Sequence, residues 1–309
     1  LKETFDFIVK DLEQASNLVG IQGEAQSAYI TLDVVEALKA RVYLEMEDYQ
    51  NAAAAAQGLI NSKRYTLISD GDAYKKMWLN DVGTEAIWQF AMSKTETGSN
   101  ALGSSFMGIV DKLPRPSYLP VKSVLNLYDK ENDIRYDAYF TTGLIDRQVG
   151  DDIEVTYCSK WPGNPELYEG KSNNVNKLKA FRISEMYLIA AEAYAMLNQE
   201  DKASEMLNEL KKIRIKGWTE TVYNGAALMQ EIQDERVREL FAEGNRLFDM
   251  KRWKIGMKRS SSDAQRDDYL PALGTDIEKE ATDNRWVWPI PKDEMDSNPQ
   301  LKGQQNPGY

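Results

Sequence analysis

The densest group of residues able to do chemistry sits late in the chain: Glu235, Arg236, Arg238, Glu239, Glu243, Arg246, Asp249, Lys251 and Arg252, followed by Trp253. Glu235, Glu239 and Glu243 recur at helical spacing, which places them on one face with Arg238 alongside. Two chemistries fit such a set. A pair of carboxyls, one protonated and one ionised, can hydrolyse a glycosidic bond. Alternatively, guanidinium forks can close on carboxylates and lock two helices together. We expect the second, with Glu235, Arg236, Glu239, Glu243, Arg246, Asp249, Arg252 and Trp253 as a structural network.

Aromatic rings offer a different chemistry. Tyr157, Trp161 and Tyr168 lie close together among Pro, Gly and Asn. Flat C–H faces of sugar rings stack on such side chains while polar groups fix their orientation. Lys160, Asn164 and Asn173 would supply the polar groups. Tyr118 and Arg115, in Leu113-Pro114-Arg115-Pro116-Ser117-Tyr118, form a second candidate set. The competing reading is that these rings only pin loops to a core. Trp78 and Trp88 are expected in the core.

Other chemistries are excluded or unsupported. The chain has no His, which removes Ser-His-Asp and Cys-His sites, His-ligated zinc and His general bases. A single Cys, Cys158, makes no intrachain disulfide and no zinc cage. We expect it to be a small, partly buried side chain. No phosphate-cradling glycine loop is present. Ser69-Asp70-Gly71-Asp72 is too short a match for a calcium loop. No metal or cofactor is expected. The net charge of −11 and pI near 4.8 argue against nucleic acid, which needs clustered Lys and Arg. They also argue against direct docking to anionic lipid. No run of apolar residues is long enough for a transmembrane helix.

The elements that would carry these residues are mostly helical. Leu1, Phe5, Ile8, Leu12, Ala15 and Val19 share one face at spacings of three and four. No capping residue precedes Leu1, so we expect upstream sequence that this chain lacks, the alternative being a natural start with a frayed helix. A helix starting at Thr31 or Asp33 runs to about Met46, and a second starts at Asp48 and ends near Ile60. The run Ala52–Ala56 suits a close helix–helix contact. The same pattern returns at 182–216. Ala40, Tyr43, Ala52 and Leu59 align with Ala191, Tyr194, Ala203 and Leu210 at one constant offset. This is the pattern of a tetratricopeptide-type helical pair, which stacks on neighbours to bury its face.

Between the copies, residues 63–178 are rich in Gly and Pro, and such long segments on a rigid scaffold tend to carry function. Within them, Glu85–Phe90 and Ile153–Tyr157 alternate like strands, and Val121–Asp129 carries a helical pattern. Ala226–Ala242 and Asn245–Gly256 read as further helices. The tail from Trp286 is punctuated by Pro289, Pro291, Pro299 and Pro307, and is expected to be an extended arm.

Three blocks give the chain a resemblance. From Phe181 it reads FRISEMYLIAAEAYAMLN, then IQDERVRELFAEGNRLFDMKRWKIG, then WVWPIPKDEMDSNPQLKGQQNPGY to Tyr309. In order and spacing these resemble the SusD/RagB family, the surface nutrient-binding lipoproteins of Bacteroidetes. The opening helix and the pair from Ala37 to Ile60 are similar to that family as well. The resemblance implies a mostly α fold, with tetratricopeptide-like helical pairs packed against an irregular, loop-rich half. It implies one SusD-like domain over 1–309: residues 1–62 and 179–256 as scaffold, 63–178 as a ligand-facing insertion, and 257–309 as a C-terminal arm.

The resemblance also implies a role in glycan utilization: non-catalytic binding of glycans or oligosaccharides, sometimes peptides, at the outer-membrane surface. Delivery would be to a SusC-like TonB-dependent transporter, and membrane attachment only through a lipid anchor that this chain does not contain. Set against that family, we expect the N-terminal part with its lipidated Cys to be absent from this chain, and the internal Cys158 is not expected to be that anchor. Two rivals stand beside this reading. A pure tetratricopeptide scaffold would bind protein segments but should show tandem repeats. A glycoside hydrolase would need a carboxylate pair that nothing in the sequence singles out.

Overall fold

The structure, a computed structural model, describes residues 2–95, 101–108, 113–147, 150–260, 262–266 and 278–309. It is mostly helical, as expected. The chain divides into two compact units, Leu1–Ala242 and Glu243–Tyr309. The first unit opens with α1 (Lys2–Leu18), α2 (Leu32–Glu45) and α3 (Tyr49–Ser62). Next come α4 (Gly71–Leu79), β1 (Ala86–Gln89), α5 (Leu102–Phe106), α6 (Lys122–Leu125) and α7 (Ile134–Tyr139). The strands β2 (Phe140–Ile145), β3 (Ile153–Cys158) and β4 (Lys179–Arg182) follow, and α8 (Ile183–Met196), α9 (Glu200–Arg214) and α10 (Gly225–Glu239) complete it. No helix is long and apolar enough to cross a membrane among the described residues.

Capping fixes where the first pair begins. Thr31 accepts a hydrogen bond from Val34 N, and Asp48 accepts one from Asn51 N. Each satisfies an amide that the first helical turn leaves open. The pairs α2–α3 and α8–α9 then repeat one another down to single hydrogen bonds. Glu47 and Asn198 both take the left-handed conformation, at φ 59° and 57°. Asp48 N donates to Tyr43 O at 2.9 Å, and Gln199 N donates to Tyr194 O at 2.9 Å. These equivalences follow the same offset as the alanines. Ala40, Ala52, Ala191 and Ala203 are all at 0% exposure, so methyl-sized side chains let the helices approach. α2 packs on α3, α3 directly on α8, and α8 on α9. Pairs far apart in sequence are thus consecutive in space, and the long segment between them does not break the stack. The antiparallel ribbon of β1 with β4 joins its outgoing and returning ends.

That segment is less loose than its glycines and prolines suggest. It builds a second, aromatic core from Tyr74, Trp78, Leu125, Tyr128, Tyr139, Phe140 and Trp161. Trp78 meets Tyr74, Tyr139 and Trp161 edge-on, with ring centroids 6.3, 5.8 and 5.1 Å away. Lys160 Nζ lies 4.1 Å from the Trp78 ring and 3.9 Å from the Tyr139 ring, a cation–π arrangement strengthened by burial. The helices here are too short to show a period in sequence; Val121–Asp129 yields only α6. The expected strands are present as β1 and β3, with β3 paired antiparallel to β2 from Phe140↔Cys158 to Ile145↔Ile153. Asp70, in the weak calcium-like match, caps α4 by accepting from Ala73 N at 2.8 Å.

The second unit holds α11 (Arg246–Arg252), the two-stranded β5 (Met257–Lys258) with β6 (Glu278–Lys279), and α12 (Lys292–Ser297). The expected extended arm is corrected here. Asn284–Trp286 and Pro299–Gln304 are 3-10 turns. Pro291 stands at the N-cap of α12, and Pro299 opens the last turn behind Asn298. Proline's fixed φ suits the first position of a helical turn as well as an extended chain, which is why the sequence pattern misled. The tail closes on itself: the Gln305 side chain accepts from Ile290 N at 2.9 Å and donates to Ile290 O at 3.1 Å.

Candidate functional site

The charged network is assembled at the junction of scaffold and insertion within the first unit. Glu239 of α10 accepts hydrogen bonds from Arg182 at 2.8 Å, Arg214 at 3.0 and 2.9 Å, and Arg135 at 3.0 Å. Glu235, one turn earlier, accepts from Arg135 at 2.5 Å and Arg238 at 2.6 Å. Glu85 takes Arg182 at 3.1 Å and Arg214 at 2.9 Å, and Asp133 takes Arg135 at 2.9 and 2.7 Å. Four carboxylates thus face four guanidinium groups, every one of them buried. The tyrosines join in: Tyr139 Oη donates to the Glu239 carbonyl at 3.1 Å.

Electrostatics decide what this cluster can do. Burial alone would push the Glu239 carboxyl up, but Arg214, Arg182 and Arg135 hold it well below the usual carboxylate range. Burial acts on Glu235 in the same way, and Arg135 and Arg238 overcome it. A glycosidase acid needs the opposite shift, so that it still carries a proton near neutral pH. Neither carboxyl is a proton donor there, and neither meets solvent. Among the described residues, no group of three or more His, Cys, Asp or Glu is arranged to hold a metal ion.

The other residues of the expected network are distributed between the units. Arg236 Nε lies 3.8 Å from Glu192 in the first unit. Glu243, Arg246, Asp249, Arg252 and Trp253 belong to the second. There Arg252 donates to Asp249 at 2.8 Å, and the Arg246 and Arg252 guanidinium carbons lie 5.8 and 5.5 Å from the Trp253 ring centroid.

The ring candidates fall into two groups. Trp161 is 2% exposed, edge-on to Trp78, with its Nε1 donating to Ala242 O at 3.3 Å. Asn164 is fully buried. Its amide donates to Asp81 at 2.8 Å and Asn80 O at 3.1 Å, and its oxygen accepts from Glu166 N. Lys160 is buried, and its Nζ donates to Phe241 O at 2.7 Å. Asn173 spends its side chain on Leu167 O and Val175 N. Tyr157, on β3, is buried as well, and burial pushes its hydroxyl pKa up. Tyr168 is half-buried after the Pro165–Leu167 turn. None of Trp161, Tyr157 or Asn164 turns a free face outward: all three are buried, and Asn164 is held by Asp81.

The outward face is made by the second candidate set. Tyr118 is 66% exposed, and its ring lies 6.3 Å from that of Phe106 on α5. Three segments meet beneath it. Ser117 N donates to Ser105 O at 2.9 Å, Arg115 N to Met107 O at 2.7 Å, and Asp146 N to Pro114 O at 2.9 Å. Arg115 Nη2 pairs with Asp146 at 2.5 Å, while its Nε is buried without a hydrogen-bond partner among the described residues. A tilted ring pair beside a fixed guanidinium–carboxylate pair can stack a flat apolar ring face and bond its hydroxyls.

Sequence reasoning missed Phe106 and Asp146 here, and Glu85, Asp133, Arg135, Arg182 and Arg214 in the buried network. Arg182 does stand in the Phe181 block. The others come from separate segments with no shared spacing, so no local pattern could have joined them.

The profile of the SusD family matches residues 149–309, just over half of the chain. A SusD-like protein of Formosa agariphila is 25% identical over 97% of this chain and 64% of its own length. The chain therefore spans less than two thirds of that relative. A solved SusD superfamily protein from Bacteroides thetaiotaomicron superposes with TM-score 0.79 at 27% identity, over 99% of this chain and 66% of that one. The surface glycan-binding protein A of Bacteroides fluxus shares the fold with TM-score 0.70 at 22% identity, over 100% of this chain and 70% of that one.

Proposed function

The chain belongs to the SusD family, and on that premise we propose that it captures glycans without cleaving them. Residues 63–178 are the ligand-facing part on this reading, held on the helical-pair scaffold by the buried charged network. The observation that carries it is the exposed Tyr118 ring with Phe106, Arg115 and Asp146. Tyr118 supplies the stacking face, Phe106 flanks it, and the Arg115–Asp146 pair orients hydroxyls. Tyr168 is a further ring for a longer chain. Trp161, Tyr157 and Asn164 give the platform its rigidity. The depressed carboxyls of Glu235 and Glu239 support a structural role for them. The shared fold of a protein named for surface glycan binding supports the ligand class. The full protein acts at the outer-membrane surface through a lipid anchor and hands its ligand to a SusC-like TonB-dependent transporter.

The test is calorimetry against an oligosaccharide panel, with chromatography of the products. Saturable binding with no new products is expected, and Tyr118→Ala should weaken it by about 1.5 kcal/mol, roughly tenfold in Kd, with an unchanged melt. Oligosaccharide breakdown would overturn the non-catalytic reading, and undiminished binding by Tyr118→Ala would remove the site. Delivery predicts co-purification with a transporter of that class from outer membranes.

A further inference from the structure

The connector between α9 and α10 carries the only Asn-Gly step of the chain, Asn224-Gly225. It lies along α9 and is held there rung by rung. Asn208 accepts from Thr221 N at 3.0 Å and donates to Thr221 O at 2.8 Å. Ser204 accepts from Tyr223 N and donates to Tyr223 O, both at 3.1 Å. Glu200 accepts from Gly225 N at 2.9 Å. The spacing explains the fit. Four residues of helix rise ~6 Å, and two residues of extended chain span ~6.6 Å. One stripe of α9 therefore meets every second residue of the connector. The Glu200 rung differs from the others because it is a carboxylate. Its second oxygen accepts from the Asn224 side-chain amide at 3.2 Å, and that side chain makes no capping bond to α10. Glu200 thus holds both groups that an Asn-Gly step needs in order to react: the Gly225 nitrogen and the Asn224 amide.

We propose that Asn224-Gly225 is a self-modification site, at which the asparagine converts to aspartate or isoaspartate, and that Glu200 restrains it. The Gly225 nitrogen loses its proton and attacks Asn224 Cγ. A bond forms between them, the Cγ–Nδ2 bond breaks, and ammonia leaves with the proton. Water then opens the five-membered imide at either carbonyl, giving aspartate or β-linked isoaspartate. Gly225 suits the attack because it has no Cβ to hinder the approach, and its φ of 55° is one that glycine adopts freely. Asn224 and Gly225 are exposed, so water and base reach them. Glu200 works against the step. Its charge disfavours an amide anion beside it, and the N–H must be drawn out of a charge-assisted bond. After conversion a second carboxylate faces Glu200, and attraction becomes repulsion. Isoaspartate also adds one main-chain atom between Tyr223 and Gly225. The Glu200 rung is then lost, which loosens the start of α10, the helix that carries Glu235 and Glu239.

Peptide mapping by mass spectrometry, after incubation in mildly alkaline buffer, reads the site. The tryptic peptide 217–236 holds Asn224 as its only asparagine, and electron-driven fragmentation separates aspartate from isoaspartate. Asn224 should convert in the folded wild-type chain, and in denaturant it should convert ahead of every other asparagine. Folded Glu200→Gln should convert severalfold faster than folded wild type. In denaturant the two chains should convert at one rate, since the restraint exists only when the connector lies on α9. Hydrogen exchange at residues 225–228 should rise in the converted chain. No conversion at Asn224 in the folded chain, or earlier conversion of another asparagine in denaturant, would overturn the site. An equal or slower rate in folded Glu200→Gln would overturn the restraint and make the carboxylate a base for the attack. If Glu200→Gln does not fold, wild type alone decides: conversion no slower folded than denatured would overturn the restraint.

Discussion

Replacing Glu239 by Gln removes one charge from a balanced buried cluster while nearly keeping its volume. The change is therefore electrostatic. Glu239 is bonded by Arg135, Arg182 and Arg214, all within 3.0 Å. Breaking one buried pair by removing a partner destabilises by about 3–5 kcal/mol, because a charge is left uncompensated in a poorly solvated place. Here three guanidinium groups lose a partner, but Glu85, Asp133 and Glu235 still offset part of their charge. A loss of about 4 kcal/mol follows. For a unit the size of Leu1–Ala242, each kcal/mol shifts Tm by about 2–4 °C, so the melt should fall by roughly 8–16 °C. Scanning calorimetry near neutral pH measures it. Lys2→Ala is the control: its pair with Asp6 has side chains 87% and 54% exposed, and surface pairs contribute little. A Glu239→Gln melt within about 2 °C of wild type would refute the reasoning. So would loss of glycan binding by a variant that is still fully folded, since Glu239 would then be touching ligand.

Acid should act through the same two carboxyls. Their folded pKa values are depressed, so their stabilisation is complete above the ordinary Glu value of about 4.3 and drains as pH falls through the folded values. Tm should drop steeply below about pH 4.3, with a shallower slope in Glu239→Gln. At the helix crossing, Ala191→Leu should lose about 1–3 kcal/mol by overpacking. Ala54→Leu on the exposed face should melt like wild type; equal melts for the two variants would contradict the tight stack. Cys158 is fully buried, and burial pushes its thiol up to about 11. Iodoacetamide should modify it only after denaturation, as mass spectrometry would show.

By itself the sequence determined much of what depends on neighbours along the chain. Thr31 and Asp48 mark helix starts because a capping oxygen must precede the first turn. The recurrence of Ala40, Tyr43, Ala52 and Leu59 at one offset marks a repeated pair, since a close crossing needs small residues at fixed positions. The three C-terminal blocks identified the family for the same reason: each is a local pattern. Tertiary structure alone decided which charges meet and which rings show. Glu239 finds Arg135, Arg182 and Arg214 because α7, β4, α9 and α10 converge, and that convergence has no spacing along the chain. Trp161 and Tyr118 are both aromatic residues among prolines, indistinguishable by composition. Trp161 is enclosed because Trp78 and Lys179 pack against its ring and its Nε1 bonds to Ala242 O, whereas nothing described covers most of Tyr118. Burial is a property of the assembled surfaces, so a residue's own sequence cannot state it.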